Sequence, residues 1–197
     1  LTLDDDRVVI PPRASPCVRY GVDFSTAGHG LFRGVARVDD ALIVANSTWL
    51  WRPDATRPAA VVPTHIELPS GVEVSTPWPR QGDVHLMDAT AFQWEAYLVV
   101  GRFEREELHL HNTVFDVARL GRTEHAADLP LARWLGGAAD AISTLTGEFP
   151  ADRVQVLLVP SSSNGDAVGF GLTSRGGGAS VLFTVNPDAP PTSFDGK

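Results

Sequence analysis

One stretch of this chain carries the repeat of a strong amphipathic helix. Leu131, Trp134, Leu135, Ala138, Ile142 and Leu145 fall at offsets 0, 3, 4, 7, 11 and 14, an apolar stripe of period 3.6. The expected ends are marked as well. Asp128 can accept from the first free N–H groups, Pro130 suits the first turn, and Gly147 stands where a left-handed terminus is expected before Phe149-Pro150. The spacing predicts a helix over about 129–147. A single helix covers only one face of a sheet, so the unit that carries it is expected to be an incomplete one.

The rest of the pattern is strand-like. Cys17 to Phe24 alternates, with Val18, Tyr20, Val22 and Phe24 on one face, the period-two signature of a half-buried strand. Gly28-His29-Gly30 reads as a turn, Leu31 to Val38 as the next strand, and Asp39-Asp40 as the break before Ala41 to Ala45. Thr48 to Trp51, Val61 to Leu68, Val72 to Ser75, Val84 to Met87 and Trp94 to Phe103 follow, with prolines that restrict several of these runs to sheet edges or ends. Residues 1–103 are thus expected to form an antiparallel β-sandwich domain. After the charged junction Glu104 to Glu107, the order changes to an alternating stretch Leu108 to Val117, the helix, an apolar strand Val154 to Val159, a polar loop with an Asn164-Gly165 turn, and a strand Val181 to Val185. Residues 104–197 read as the start of an α/β unit that lacks a second helical layer, and the whole as a β-rich α+β chain.

Composition excludes several function classes. With 197 residues and 43% hydrophobic content the chain can bury a substantial core. Its 16 basic and 24 acidic residues give a net charge of −8, with no basic cluster to follow a phosphate backbone, so nucleic acid is not an expected partner. The single cysteine, Cys17, permits no internal disulfide, and its place in the alternating pattern predicts a buried thiol. No apolar stretch approaches the length of a membrane span. The chain begins at Leu1 rather than Met, as after removal of a leader, and a periplasmic or cell-envelope location is preferred to the cytoplasm.

The segment Gly169-Phe170-Gly171-Leu172-Thr173-Ser174-Arg175-Gly176-Gly177-Gly178-Ala179-Ser180 raises the question of a phosphate loop. Gly171 and Gly176 have the required separation, but Gly177-Gly178 replace the lysine and hydroxyl that would meet phosphate and magnesium, and a strand run follows where a helix is needed. The dinucleotide pattern fails at Ser174. His109 and His111 are two residues apart, so on one strand face they could share a metal, yet no third ligand stands at a recognised spacing and solvated surface histidines are the expectation. Ser161-Ser162-Ser163-Asn164-Gly165 has turn composition and no nucleophile-elbow pattern. Trp49, Trp51, Trp78 and Trp94 fit either the filling of a sandwich or an aromatic platform for sugar, the filling being preferred because each indole buries a large area. Asp4-Asp5-Asp6 reads as a solvated turn.

The order of segments carries more than any single motif. A β domain ends in Tyr97-Leu98-Val99-Val100-Gly101-Arg102-Phe103; a capped helix leads to Phe149-Pro150-Ala151-Asp152-Arg153 and the strand Val154 to Pro160; a glycine-rich segment then precedes a strand. This succession, over residues 17–187, resembles the gluzincin metallopeptidases, the aminopeptidase N-like and glycyl-aminopeptidase-like enzymes, in which a β-sandwich precedes a thermolysin-like catalytic domain. In that family an H-E-x-x-H helix binds zinc and supplies the general base. None of the six histidines here, at 29, 65, 85, 109, 111 and 125, lies in such a motif. The resemblance therefore implies a non-catalytic N-terminal region that ends before that helix, with zinc only in the full-length parent. It implies two partners, the remainder of its own catalytic domain and the parent's peptide substrate. It also implies that Gly176, Gly177, Gly178, Ala179 and Ser180 occupy the position of the G-A-M-E-N segment, a cleft edge strand whose backbone binds extended peptide, although no Glu stands in this run to meet a substrate amine; the alternative for this segment is a plain glycine hairpin. The alternatives are a stand-alone β-sandwich module that binds glycan or protein through its tryptophans, and a peptidase-like scaffold without a zinc site.

Overall fold

The structure, a computed structural model, describes residues 2–4, 7–10, 17–25, 34–54, 59–121, 129–161 and 166–194. The Gly28-His29-Gly30 and Asn164-Gly165 turns, the Asp128 cap, Asp5-Asp6, His29 and His125 lie outside the described residues. Fourteen strands and one α-helix follow in order: β1 (Thr2–Asp4), β2 (Arg7–Val9), β3 (Val35–Val38), β4 (Ala41–Ala45), β5 (Val61–His65), β6 (Glu73–Ser75), β7 (Arg80–Gln81), β8 (Val84–Asp88), β9 (Tyr97–Gly101), β10 (Glu104–Leu110), β11 (Thr113–Arg119), α1 (Leu131–Thr146), β12 (Arg153–Pro160), β13 (Val168–Ser174) and β14 (Ala179–Val185). They form a ribbon β1-β2, a four-stranded sheet β3-β4-β9-β6, a three-stranded sheet β5-β8-β7 and a five-stranded sheet β10-β11-β12-β14-β13. The chain is β-rich with one α-helix among the described residues.

The five-stranded sheet is mixed. β11, β12 and β14 run parallel, with α1 as the crossover from β11 to β12, while β10 and β13 pair antiparallel at the two edges. Even-numbered residues of β11 and odd-numbered residues of β12 face one side, and the alternate set faces the other. Phe115, Val117, Val154, Val156 and Leu158 meet Leu131, Trp134, Leu135 and Ala139 of α1 in one core. Ala118, Leu120, Leu157, Val159 and Leu182 meet Ala36, Ala41, Ile43 and Val99 of the four-stranded sheet in a second core, against which Phe103 packs. The change of pattern after Phe103 therefore coincides with continuous packing across the two halves. β9 serves two cores by alternation, Val99 facing the second and Leu98 joining Trp78, Met87 and Ala91 in a third.

Several expectations are corrected. Cys17 to Phe24 belongs to no strand, and Cys17 is exposed rather than buried, as are Val18, Tyr20 and Val22. Alternation reports which side chains are apolar; whether a neighbouring strand is available to pair depends on the rest of the fold. The charged junction Glu104 to Glu107 lies inside β10, because its charges find cross-strand partners on β11: Arg119 meets Glu106 at 2.6 Å and Arg105 meets Asp116 at 2.7 Å. The alternating stretch Leu108 to Val117 is in turn broken at His111, whose φ of 54° makes the hairpin turn. The helix is bounded by Pro130 and by Gly147 at φ 87°, but its buried stripe ends at Ala139, leaving Ile142 38% and Leu145 87% exposed.

Candidate functional site

The glycine-rich segment is the turn of the β13–β14 hairpin, and its surroundings explain its composition. Residues 175–178 leave the five-stranded sheet and enter a socket made by the first half of the chain. A Cβ on Gly176 would lie 2.6 Å from the Trp94 carbonyl oxygen, one on Gly177 2.6 Å from Cδ1 of the Trp78 indole, and one on Gly178 would collide with the Pro77 carbonyl. Gly177 also has φ 86°, a conformation that costs other residues backbone strain. The turn is held by directional bonds. Trp78 Nε1–H donates to the Gly176 carbonyl at 3.0 Å, the Gly176 N–H donates to Glu95 O at 3.2 Å, and the Gly177 N–H donates to Thr90 Oγ1 at 2.9 Å. Thr90 is itself oriented by its hydroxyl bond to Asp88 Oδ1.

Gly176, Gly177, Gly178, Ala179 and Ser180 are therefore not an edge strand. Ala179 pairs with Val154, and Ser180 pairs with Gln155 on one side and Ser174 on the other, so β14 is interior. The edge next to it is β13, which pairs with β14 alone among the described strands. β13 escapes a strand reading because glycine lowers strand propensity. Its signal is nevertheless present, since Val168, Phe170 and Leu172 alternate. A Cβ on Gly171 would stand 3.0 Å from the ring of Phe183, its partner across the strands, a tight contact.

Ser180 belongs to a polar row that is buried at Asp116, Gln155 and Ser180 and exposed at Glu107. Glu107, Asp116, Gln155, Ser180 and Ser174 stand in register across the five strands. Ser180 Oγ donates to Gln155 Oε1 at 2.7 Å, and Gln155 Nε2 donates to Ser75 Oγ of β6 at 3.0 Å. Asp116, 1% exposed, accepts two bonds from Arg105, at 2.7 and 2.9 Å, and one from Arg153 at 2.5 Å. Beside Ser75, Thr76 Oγ1 and His85 Nδ1 are 3.1 Å apart. Burial, and next the Arg80 charge, hold His85 below its ordinary pKa. The row thus ties β6 and the strands beyond it to the five-stranded sheet. At another part of the contact between the two sheets, a cleft of about 600 Å³ opens between Ala36–Asp39 and Val159–Ser161.

The remaining candidates separate. His109 is exposed on β10, whereas His111 sits in the turn with Nε2 2.8 Å from Asp140 Oδ1, so the two do not act as a strand-face pair. Among the described residues no group of three His, Cys, Asp or Glu side chains could hold a metal ion. The tryptophans divide. Trp78 is fully buried with Trp49 at 6.2 Å, while Trp51, edge-on to Tyr20, and Trp94 are exposed. No helix among the described residues is long and apolar enough to cross a membrane.

The fold resembles that of an aminopeptidase N family protein. The structure of that protein from Idiomarina loihiensis matches with a TM-score of 0.61 and 15% sequence identity, over 78% of this chain and 26% of that one. The M1 zinc metallopeptidase from Deinococcus radiodurans matches with a TM-score of 0.33 and 14% identity, over 61% of this chain and 28% of that one, a score that adds nothing to the fold argument. No family model matches the chain, and no curated protein matches it in sequence. The likeness concerns the fold, and the chain spans about a quarter of the length of the aminopeptidase N family protein.

Proposed function

We propose that this chain is the non-catalytic N-terminal part of a zinc-dependent peptidase of aminopeptidase type, with a β-sandwich unit in 1–103 and the opening sheet and helix of a thermolysin-like domain in 104–197. The observation that carries this reading is the fold match over 78% of this chain to 26% of an aminopeptidase N family protein. The described residues do not suit a zinc ion, since their His, Cys, Asp and Glu side chains do not converge, so zinc in this reading is held by other parts of the parent. The exposed Ile142 and Leu145 on α1 support a further layer of that parent packing there. The strand offered to an extended peptide is β13, whose outer side has no described strand partner; Gly176 to Ser180 brace it from within.

The test is to express the longest reading frame that contains this chain and assay peptide hydrolysis before and after chelation. Activity lost on chelation and restored by zinc is the expected result, with none from the 197 residues alone. A full-length protein that neither binds zinc nor cleaves peptides overturns the peptidase reading. The exposed Tyr20–Trp51 pair favours a second reading, a glycan- or protein-binding module. Saturable quenching of Trp51 fluorescence by oligosaccharide, abolished in Trp51→Ala, would support it.

A further inference from the structure

We propose that Trp78 and Thr90 are positioning residues for the β13 edge, so that the first half of the chain sets the placement of a strand belonging to the second. For its consequence in peptide binding, the inference rests on the proposed role of β13. The seating of the turn between the two halves does not depend on that role. The nearest neighbours of Gly176 to Gly178 come from residues 77–96: Pro77 and Trp78 between β6 and β7, Thr90 and Ala91 after β8, and Trp94 to Ala96 before β9.

Three successive positions admit no Cβ, so the turn has a single seat and cannot slide without losing it. The seat is also directional. The indole N–H of Trp78, 1% exposed, meets the Gly176 carbonyl, and the Thr90 hydroxyl meets the Gly177 N–H. On its outer side β13 has no described strand partner, and this turn joins it directly to β14. Loss of one buried hydrogen bond raises the population of a locally opened state by about tenfold.

Trp78→Phe keeps most of the aromatic volume and removes the donor. Thr90→Val keeps the shape and removes the hydroxyl, and Thr90→Ser restores it. Amide hydrogen exchange of the 197-residue chain reads the outcome directly. Exchange in 168–178 is expected to quicken by about tenfold in Trp78→Phe and Thr90→Val, to stay unchanged in Thr90→Ser, and to leave the β10–β11 hairpin unaffected. Unchanged exchange in 168–178, or an equal rise throughout the five-stranded sheet, overturns the proposal. Binding of a blocked pentapeptide of alternating threonine and valine tests the other reading separately. Local exchange that changes as expected while the wild-type chain, and the full-length protein, fail to bind that peptide upholds the positioning role and removes β13 as a peptide edge.

Discussion

The two faces of the five-stranded sheet are built on different principles. Against α1 the contact is apolar and aromatic: the Trp134 ring lies 4.9 Å from Phe183 and 5.5 Å from Phe194, and Phe115 lies 5.4 Å from Phe149. Against the four-stranded sheet an apolar patch around Leu157 and Val159 adjoins the polar row of Asp116, Gln155 and Ser180. Apolar contact is non-directional and supplies cohesion. A satisfied polar row tolerates few alternative placements, because a shift that breaks one bond leaves a buried group unpaired. The helix face is thus expected to govern overall stability, and the opposite face to fix how the two halves of the chain meet.

The largest effect should come from the aromatic face. Trp134→Ala is expected to cost about 3–5 kcal/mol in chemical denaturation, since a buried indole is removed from between two phenyl rings. A cost below that of any polar-row variant would break the contrast between the faces.

Gln155→Leu comes next. It leaves the Ser75 and Ser180 hydroxyls, 1% and 5% exposed, without their partner, at about 1–3 kcal/mol. Adding Ser75→Ala and Ser180→Ala should recover most of that loss, because the two hydroxyls that lost Gln155 are then removed. Failure of the triple variant to recover would show that Gln155 acts through packing alone.

The smallest effect concerns His85. Its folded pKa lies below the ordinary 6.5, so as pH falls below 6.5 the unfolded chain takes up the proton first. The stability contribution is complete above the unfolded value and is lost as pH falls through the folded one. A wild-type minus His85→Gln stability difference that shrinks on acidification through this window is the expected result. A difference that grows would reverse the assigned direction.

Much of the secondary structure was legible in the chain. The strand Ala41 to Ala45 was read with its observed bounds, and β5, β6, β8, β9, β12 and β14 lie within or near the expected runs, because a half-buried strand writes its period directly into the sequence. β13 is the exception, because its glycines obscure that period, and the edge strand is β13 rather than the run that begins at Ala179. The glycine run correctly signalled close backbone approach, but the backbone that approaches is the chain's own, at Pro77 and Trp94. Trp78 carried no local mark separating it from Trp51, although one is fully buried and the other exposed.

The sequence by itself determined the β-rich class and the helix over Leu131–Thr146 with its glycine terminus. Those properties depend on side-chain period and local backbone freedom, which neighbouring residues along the chain settle. Tertiary structure alone decided that Cys17 to Phe24 forms no strand, that β14 is interior and β13 the edge, that 176–178 admit no Cβ, and that Gln155 joins Ser75 to Ser180. Each of these is a relation between residues far apart in the chain, Ser75 and Gln155 being 80 positions apart, and local periodicity says nothing about which distant surface will meet which.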